Sequence, residues 1–182
     1  MILTPLALPG VVVIEPQVYR DARGEFLETW NEERFAESGI EARFVQDNLS
    51  VSRRHTLRGL HYQIQQAQGK LVRVMRGAIF DVIVDLRRAS AAFGKITTVG
   101  LEAGEHRSLW VPPGLAHGFL ALADDTWVQY KVTEYWAPRW ERTLRWDDPA
   151  LAIPWPLPRG TSPLMSEKDR AGVPLADAET YE

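Results

Sequence analysis

The chain has 182 residues, 45% hydrophobic and 25% charged, which are globular proportions, and its length fits a single domain over residues 1–182 at ~150 residues per domain. It has no cysteine, which excludes disulfides, Cys-ligated zinc, iron–sulfur clusters and thiol catalysis, and which fits a reducing cytoplasm. Net charge is −3, from 21 Lys+Arg against 24 Asp+Glu; with no excess of basic side chains, no signal-peptide start and no apolar run near ~18–20 residues, neither nucleic acid nor membrane is an expected partner.

In chain order, Val11–Tyr19 is rich in β-branched residues and reads as a strand, ending near a turn at Asp21-Ala22-Arg23-Gly24. Gly24–Thr29 reads as the next strand. Asn31–Ser38 is the one stretch that predicts a helix of any length, with Asn31 as N-cap, Glu32 and Glu33 suited to the positive end of the helix dipole, and Gly39 as the stop. Further strands are predicted at Ala42–Gln46, Leu57–Gln63, Lys70–Arg76, Ala78–Leu86, Ile96–Leu101, His106–Val111, Ala116–Ala121 and Thr126–Tyr135. Within Ala78–Leu86, Phe80, Val82, Val84 and Leu86 share one face, while Ile79, Asp81, Ile83 and Asp85 share the other. About ten short strands with almost no crossover helices predict antiparallel sheets arranged as a sandwich or jelly roll. Pro154–Pro158 reads as extended, and the last ~25 residues as a tail lying on the barrel. The seven tryptophans read as core and interface.

Four histidines are present, at 55, 61, 106 and 117. His61 follows an arginine and a glycine in TLRGLHYQ, and His117 follows a Pro-Pro-Gly turn; imidazole is the side chain that can take up and return a proton near neutral pH. Internal histidines in a β-barrel invite a metal reading. However, His61-Tyr62-Gln63 lacks the second histidine of a His-x-His pair and no Glu follows at suitable spacing, so no metal is expected. What remains is a cationic set: Arg23, Arg58, Lys70, Arg73, Arg107 and Lys168. Arg73 and Arg107 read equally well as solvated charge. Lys70 opens a strand and shares parity with Val72 and Val74, so it should project into the apolar interior and need a partner there, most simply Asp81. Arg58 and His61 stand three residues apart and should face opposite sides of a regular strand. To serve one site they need a bulge or twist, for which Gly59 is the natural place.

These segments, taken together in order, resemble the dTDP-4-dehydrorhamnose 3,5-epimerase family, whose members are metal-free jelly-roll cupins. The matching stretches are Asp21–Glu28, Phe44–Asn48, Leu57–Gln63, Gln68–Arg73, Phe80–Arg87, Leu109–Phe119, Tyr130-Lys131, Arg145–Pro149 and Leu164–Asp169. The resemblance implies an all-β cupin-type jelly-roll barrel with a few short helices, and an isomerase needing no cofactor. Its implied substrate is a dTDP-4-keto-6-deoxy sugar nucleotide, epimerised at C3 and C5.

Carried over residue by residue, the resemblance makes His61 the general base, Asp169 its orienting carboxylate, Tyr130 the acid on the opposite face and Lys70 the cation beside the enolate. It makes Arg23, Glu28, Gln46, Asp47, Asn48, Arg58, His117, Glu141 and Lys168 substrate-contacting. Tyr135 falls where the family presents an aromatic to the thymine, though Trp136 stands where a second tyrosine is common. It further implies a homodimer with sites shared between subunits, in which Arg23 and Glu28 serve the partner's site. Three other readings remain open at this point. They are a 3- or 5-monoepimerase of another deoxysugar, a non-catalytic sugar-nucleotide-binding cupin, and a metal-dependent cupin oxygenase.

Overall fold

The computed structural model describes residues 1–182. Its strands are β1 (Ile2–Pro5), β2 (Val12–Glu15), β3 (Val18–Asp21), β4 (Gly24–Leu27), β5 (Gln46–Ser52), β6 (Leu57–Gln63), β7 (Lys70–Arg76), β8 (Ala78–Asp85), β9 (Ile96–Glu102), β10 (Ser108–Val111), β11 (Leu115–Ala121), β12 (Thr126–Val132) and β13 (Glu141–Thr143). Two short α-helices join them, α1 (Glu32–Glu37) and α2 (Glu167–Arg170). A six-stranded sheet in the order β1-β2-β10-β7-β12-β5 faces a five-stranded sheet in the order β13-β6-β11-β8-β9, and β3-β4 stands apart as a hairpin. All the strand pairings are antiparallel. The all-β jelly-roll architecture is therefore as the sequence predicts.

Between the sheets lie Val13, Val72, Val74, Leu109, Val111 and Val128 from one side, and Ile79, Ile83, Leu101, Leu115 and Phe119 from the other. Burying side chains of this size contributes about 1.5–3 kcal/mol each, so this layer supplies the main stabilisation. The opposite face of β8 is buried as well. Val82, Val84 and Leu86 pack with Leu60 and Tyr62 under Ile153, Trp155, Leu175 and Tyr181. The C-terminal segment thus lies on the barrel, fastened where the Tyr181 hydroxyl donates to the Gln63 carbonyl (2.6 Å) and the Tyr62 hydroxyl to that of Glu179 (2.7 Å). On the outer face of the six-stranded sheet, Phe35 of α1 packs with Ile14, Leu71 and Trp110.

Several boundaries differ from the sequence reading. The stretch Val11–Tyr19 is two strands, β2 and β3, because Pro16 has no N–H to continue a ladder. β1 and β13 are too short to show an alternation. The predicted strand Ala42–Gln46 is instead the approach to β5, which begins at Gln46. β5 hides its nature by inverted polarity: Asn48, Ser50 and Ser52 are turned inward, whereas Leu49 and Val51 are more than half exposed. The helix forms as expected, with Asn31 Oδ1 accepting from the Arg34 amide at 3.1 Å.

Candidate active site

The site is built on an irregularity in β6. His117 of β11 pairs with His61, and Phe119 pairs with Arg58. Gly59 and Leu60 therefore stand together opposite the single Gly118, which is a β-bulge. The extra residue restores a common side to Arg58 and His61, and both line one cavity of about 450 Å³. Only glycine fits here. Gly59 has φ +113°, and a Cβ on it would lie 2.7 Å from both Gly118 Cα and the His117 carbonyl oxygen. A Cβ on Gly118 would lie 2.6 Å from the Arg58 carbonyl oxygen. Arg58 is further fixed by donating to Ser52 Oγ at 3.1 Å.

Lys70, at the start of β7, is buried with Val72 and Val74 as strand parity requires. Its ammonium donates to the His61 carbonyl oxygen (3.2 Å). Asp81 is not its direct partner: that carboxylate lies against His117, with Nε2 to Oδ1 at 2.7 Å. The two residues are diagonal neighbours on the inward face of β8 and β11. Burial lowers the Lys70 pKa to about 8, opposed by the negative charge of Glu141 and Asp81 and reinforced by Lys168. Tyr130 of β12 shares the wall. Burial raises its phenol pKa against the opposing charge of Arg58, so the group stays protonated at neutral pH.

Asp169 comes from the other end of the chain. Ser166 caps α2 by accepting the Asp169 amide at 3.1 Å, and the carboxylate meets His61 Nε2 at 2.5 Å. A carboxylate partner places the proton on Nε2. This leaves Nδ1 as the basic nitrogen. Burial works to raise the Asp169 pKa, but the His61 contact, the Ser166 hydrogen bond and the Lys168 charge bring it below the ordinary value. For His61, desolvation lowers the pKa below the ordinary histidine value against the pull of Asp169, and Lys70 and Lys168 add to the lowering.

A second cavity of about 350 Å³ shares His61, Lys70, Tyr130 and Lys168 with the first and extends to Gln46, Asn48, Gln63, Gln68, Trp136 and Glu141. Most predicted residues thus converge on one continuous space: His61, Lys70, Tyr130, Asp169, Arg58, His117, Lys168, Glu141, Gln46 and Asn48. Glu141 is bonded to Lys168 (2.5 Å) and to the Trp136 indole (3.1 Å).

Four others lie elsewhere. Arg23 is on the tip of the β3-β4 hairpin, paired with Asp21, and Glu28 bonds Arg34 and Asn31. Asp47 alternates outward on β5 and pairs with Lys131 at 2.8 Å. Tyr135 points to solvent, 63% exposed, while Trp136, 58% exposed, lines the cavity at its rim and donates its amide to Gln46 Oε1 at 3.1 Å. Of the ambiguous cations, Arg107 is tied to Glu105, and Arg73 is partly buried away from the cavity. Sequence reasoning missed Gln63, Gln68, Ser50, Thr56 and Ser166. Gln63 is legible in the sequence, since it shares strand parity with His61 on β6. Ser50 was hidden by the inverted pattern of β5.

A barrel whose inward face carries a proton acceptor, a proton donor and a buried ammonium around one cavity defines a jelly-roll enzyme of acid–base chemistry. Residues 5–177 match the family model described as dTDP-4-dehydrorhamnose 3,5-epimerase. The chain is 51% identical to the enzyme of that name from Pseudomonas aeruginosa, covering 98% of both chains. It is also 51% identical to that from Methanothermobacter thermautotrophicus, over 96% of this chain and 95% of the other. The crystal structure of dTDP-6-deoxy-D-glucose-3,5-epimerase from Legionella pneumophila, in complex with dTDP-4-keto-L-rhamnose, superposes with a TM-score of 0.92. That relative shares 43% identity, with 97% of this chain and 94% of that one covered. The chain belongs to the dTDP-4-dehydrorhamnose 3,5-epimerase family.

Proposed function

We propose that the chain epimerises dTDP-4-dehydro-6-deoxy-D-glucose at C3 and C5, giving dTDP-4-dehydro-L-rhamnose in dTDP-L-rhamnose biosynthesis. The observation that carries this is the sharing of one cavity wall by His61, Tyr130 and Lys70. His61 Nδ1 takes the proton from the carbon beside the C4 ketone, and the C–H electron pair moves onto O4 as an enolate. Lys70 stabilises that oxygen in a site sheltered from water. Tyr130 returns a proton to the carbon from the other face, and solvent then resets both groups. Asp169 fixes the tautomer of His61 and stabilises its protonated form. The substrate's own ketone is the electron sink.

Arg58 and Lys168 suit the diphosphate. Gln46, Asn48 and Trp136 suit the nucleoside end, where the indole replaces Tyr135 as the aromatic surface. The closing experiment is incubation with the keto sugar nucleotide in D₂O, read by NMR. Deuterium at both C3 and C5 is expected; at one carbon only, the chain is a monoepimerase, and at neither, a binding protein.

The pH profile follows from the two shifted groups. His61 must be neutral, so kcat/KM falls as pH drops through a pKa below the ordinary histidine value. Lys70 must be charged, so kcat/KM falls again as pH rises through about 8. Initial rates between pH 5 and 10 check this; a profile flat to pH 9.5 removes Lys70 from its role.

Two further features belong to this reading. We infer a homodimer in which the β3-β4 hairpin, carrying Arg23, and Glu28 just beyond it reach the partner subunit's site. Phe26 is 71% exposed on that hairpin, and Leu49, Val51, Met75 and Trp127 form an exposed apolar set on the six-stranded sheet, the kind of patch that marks an interface. Light scattering giving a monomer at micromolar concentration would overturn it. The reading also places the enzyme in the cytoplasm, which a cysteine-free chain permits.

A further inference from the structure

Five buried side-chain polar atoms have no hydrogen-bond partner: Ser50 Oγ, Arg73 Nε, both Asp81 carboxylate oxygens and His117 Nε2. All but the Arg73 atom belong to residues lining the catalytic cavity or packed directly behind it. Asp81 is the most unusual of them. Its carboxylate is fully buried and comes within 2.7 Å of His117 Nε2, but the approach lacks the alignment of a hydrogen bond and no other donor reaches it. Such a carboxylate is expensive to keep in an apolar core. An asparagine or leucine of similar size would spare that cost, so the charges it faces must be what the residue serves.

Those charges are two. His117 is the direct contact. Lys70 is the second: its ammonium has only a backbone carbonyl as hydrogen-bond partner. The groups acting on Lys70 come from every neighbouring element. Glu141 on β13 and Asp81 on β8 attract it, Lys168 on α2 and the His61 imidazole on β6 repel it when protonated, and Tyr130 on β12 is neutral. Glu141 is already bonded to Lys168, whereas Asp81 has no lysine or arginine of its own.

We propose that Asp81 is a positioning residue of this site: its buried carboxylate keeps a proton on His117 Nε2 and, by its charge, holds Lys70 as an ammonium at the cavity wall. The inference rests on the epimerase reading above, because the effect on Lys70 is read through catalysis. The effect on His117 is read without it.

The test is Asp81→Asn, which keeps the shape and removes the charge. The alkaline limb of kcat/KM is expected to move from about 8 to lower pH, by about one unit. At pH 7 kcat/KM should fall about twofold and at pH 9 about tenfold, while the melting temperature holds or rises. A lowered melting temperature with an unmoved alkaline limb means a structural residue and overturns the proposal. Should Asp81→Asn fail to fold, wild-type protein labelled with ¹⁵N in its imidazoles decides the matter. His117 is expected to carry its proton on Nε2 from pH 6 to 8, and an unprotonated Nε2 at pH 7 overturns the proposal. That measurement stands even if wild-type enzyme exchanges no deuterium, in which case it is the epimerase reading that has failed.

Discussion

Replacing His61 by alanine is expected to abolish deuterium incorporation at C3 and C5 together, because in the proposed mechanism one imidazole serves both carbons. A positioned base contributes about 10²–10⁴-fold, and here little can take its place. Nδ1 is the nitrogen left free by the Asp169 contact, Tyr130 is held protonated by burial and the Lys70 ammonium has no lone pair to offer. Exchange at either carbon near the wild-type rate in His61→Ala would remove His61 from the mechanism. Tyr130→Phe should separate the two halves of the reaction. His61 still abstracts the proton and solvent still exchanges it, so deuterium enters while inversion slows by a similar factor. Loss of exchange in Tyr130→Phe to the same extent as in His61→Ala would mean that the phenol takes part in abstraction rather than in reprotonation.

How much of this was readable beforehand depends on whether a residue's role is local. Lys70 was placed in the interior by parity alone, and it is buried beside Val72 and Val74. The bulge at Gly59 followed from requiring Arg58 and His61 to share a side, and the register shift is there. Parity says which face a side chain takes but not its neighbour across the barrel, so Asp81 was assigned to Lys70 when the strand pairing of β8 with β11 gives it to His117. The Asp169 contact spans 108 residues, and no local pattern encodes it; only the resemblance to a family suggested it. β5 was misplaced because its inward face is polar for the sake of the cavity, the reverse of an ordinary strand. The departures from simple patterning thus cluster at the site, where cavity chemistry overrides packing.

Gly59→Ala tests that connection between backbone and chemistry more severely than any change to a charged group. The new methyl would meet Gly118 Cα and the His117 carbonyl at 2.7 Å, at φ +113°, and both contacts are to backbone, which cannot rotate away. An unfavourable φ costs about 1–3 kcal/mol and the overlap adds to it, so a loss of about 3–5 kcal/mol is expected. For a chain of this length that lowers the melting temperature by roughly 10 °C or more. If the strands separate to relieve the clash, the register that puts His61 beside His117 shifts with them. Arg58 would then return to the side opposite His61, and the cavity would lose the cation suited to the diphosphate. The folded fraction of Gly59→Ala should therefore show a KM for the sugar nucleotide raised at least tenfold as well as a lower kcat. Calorimetry with steady-state kinetics on the same preparation checks both. An unchanged melting temperature with unchanged KM would mean that the bulge has no part in bringing arginine and histidine to one side.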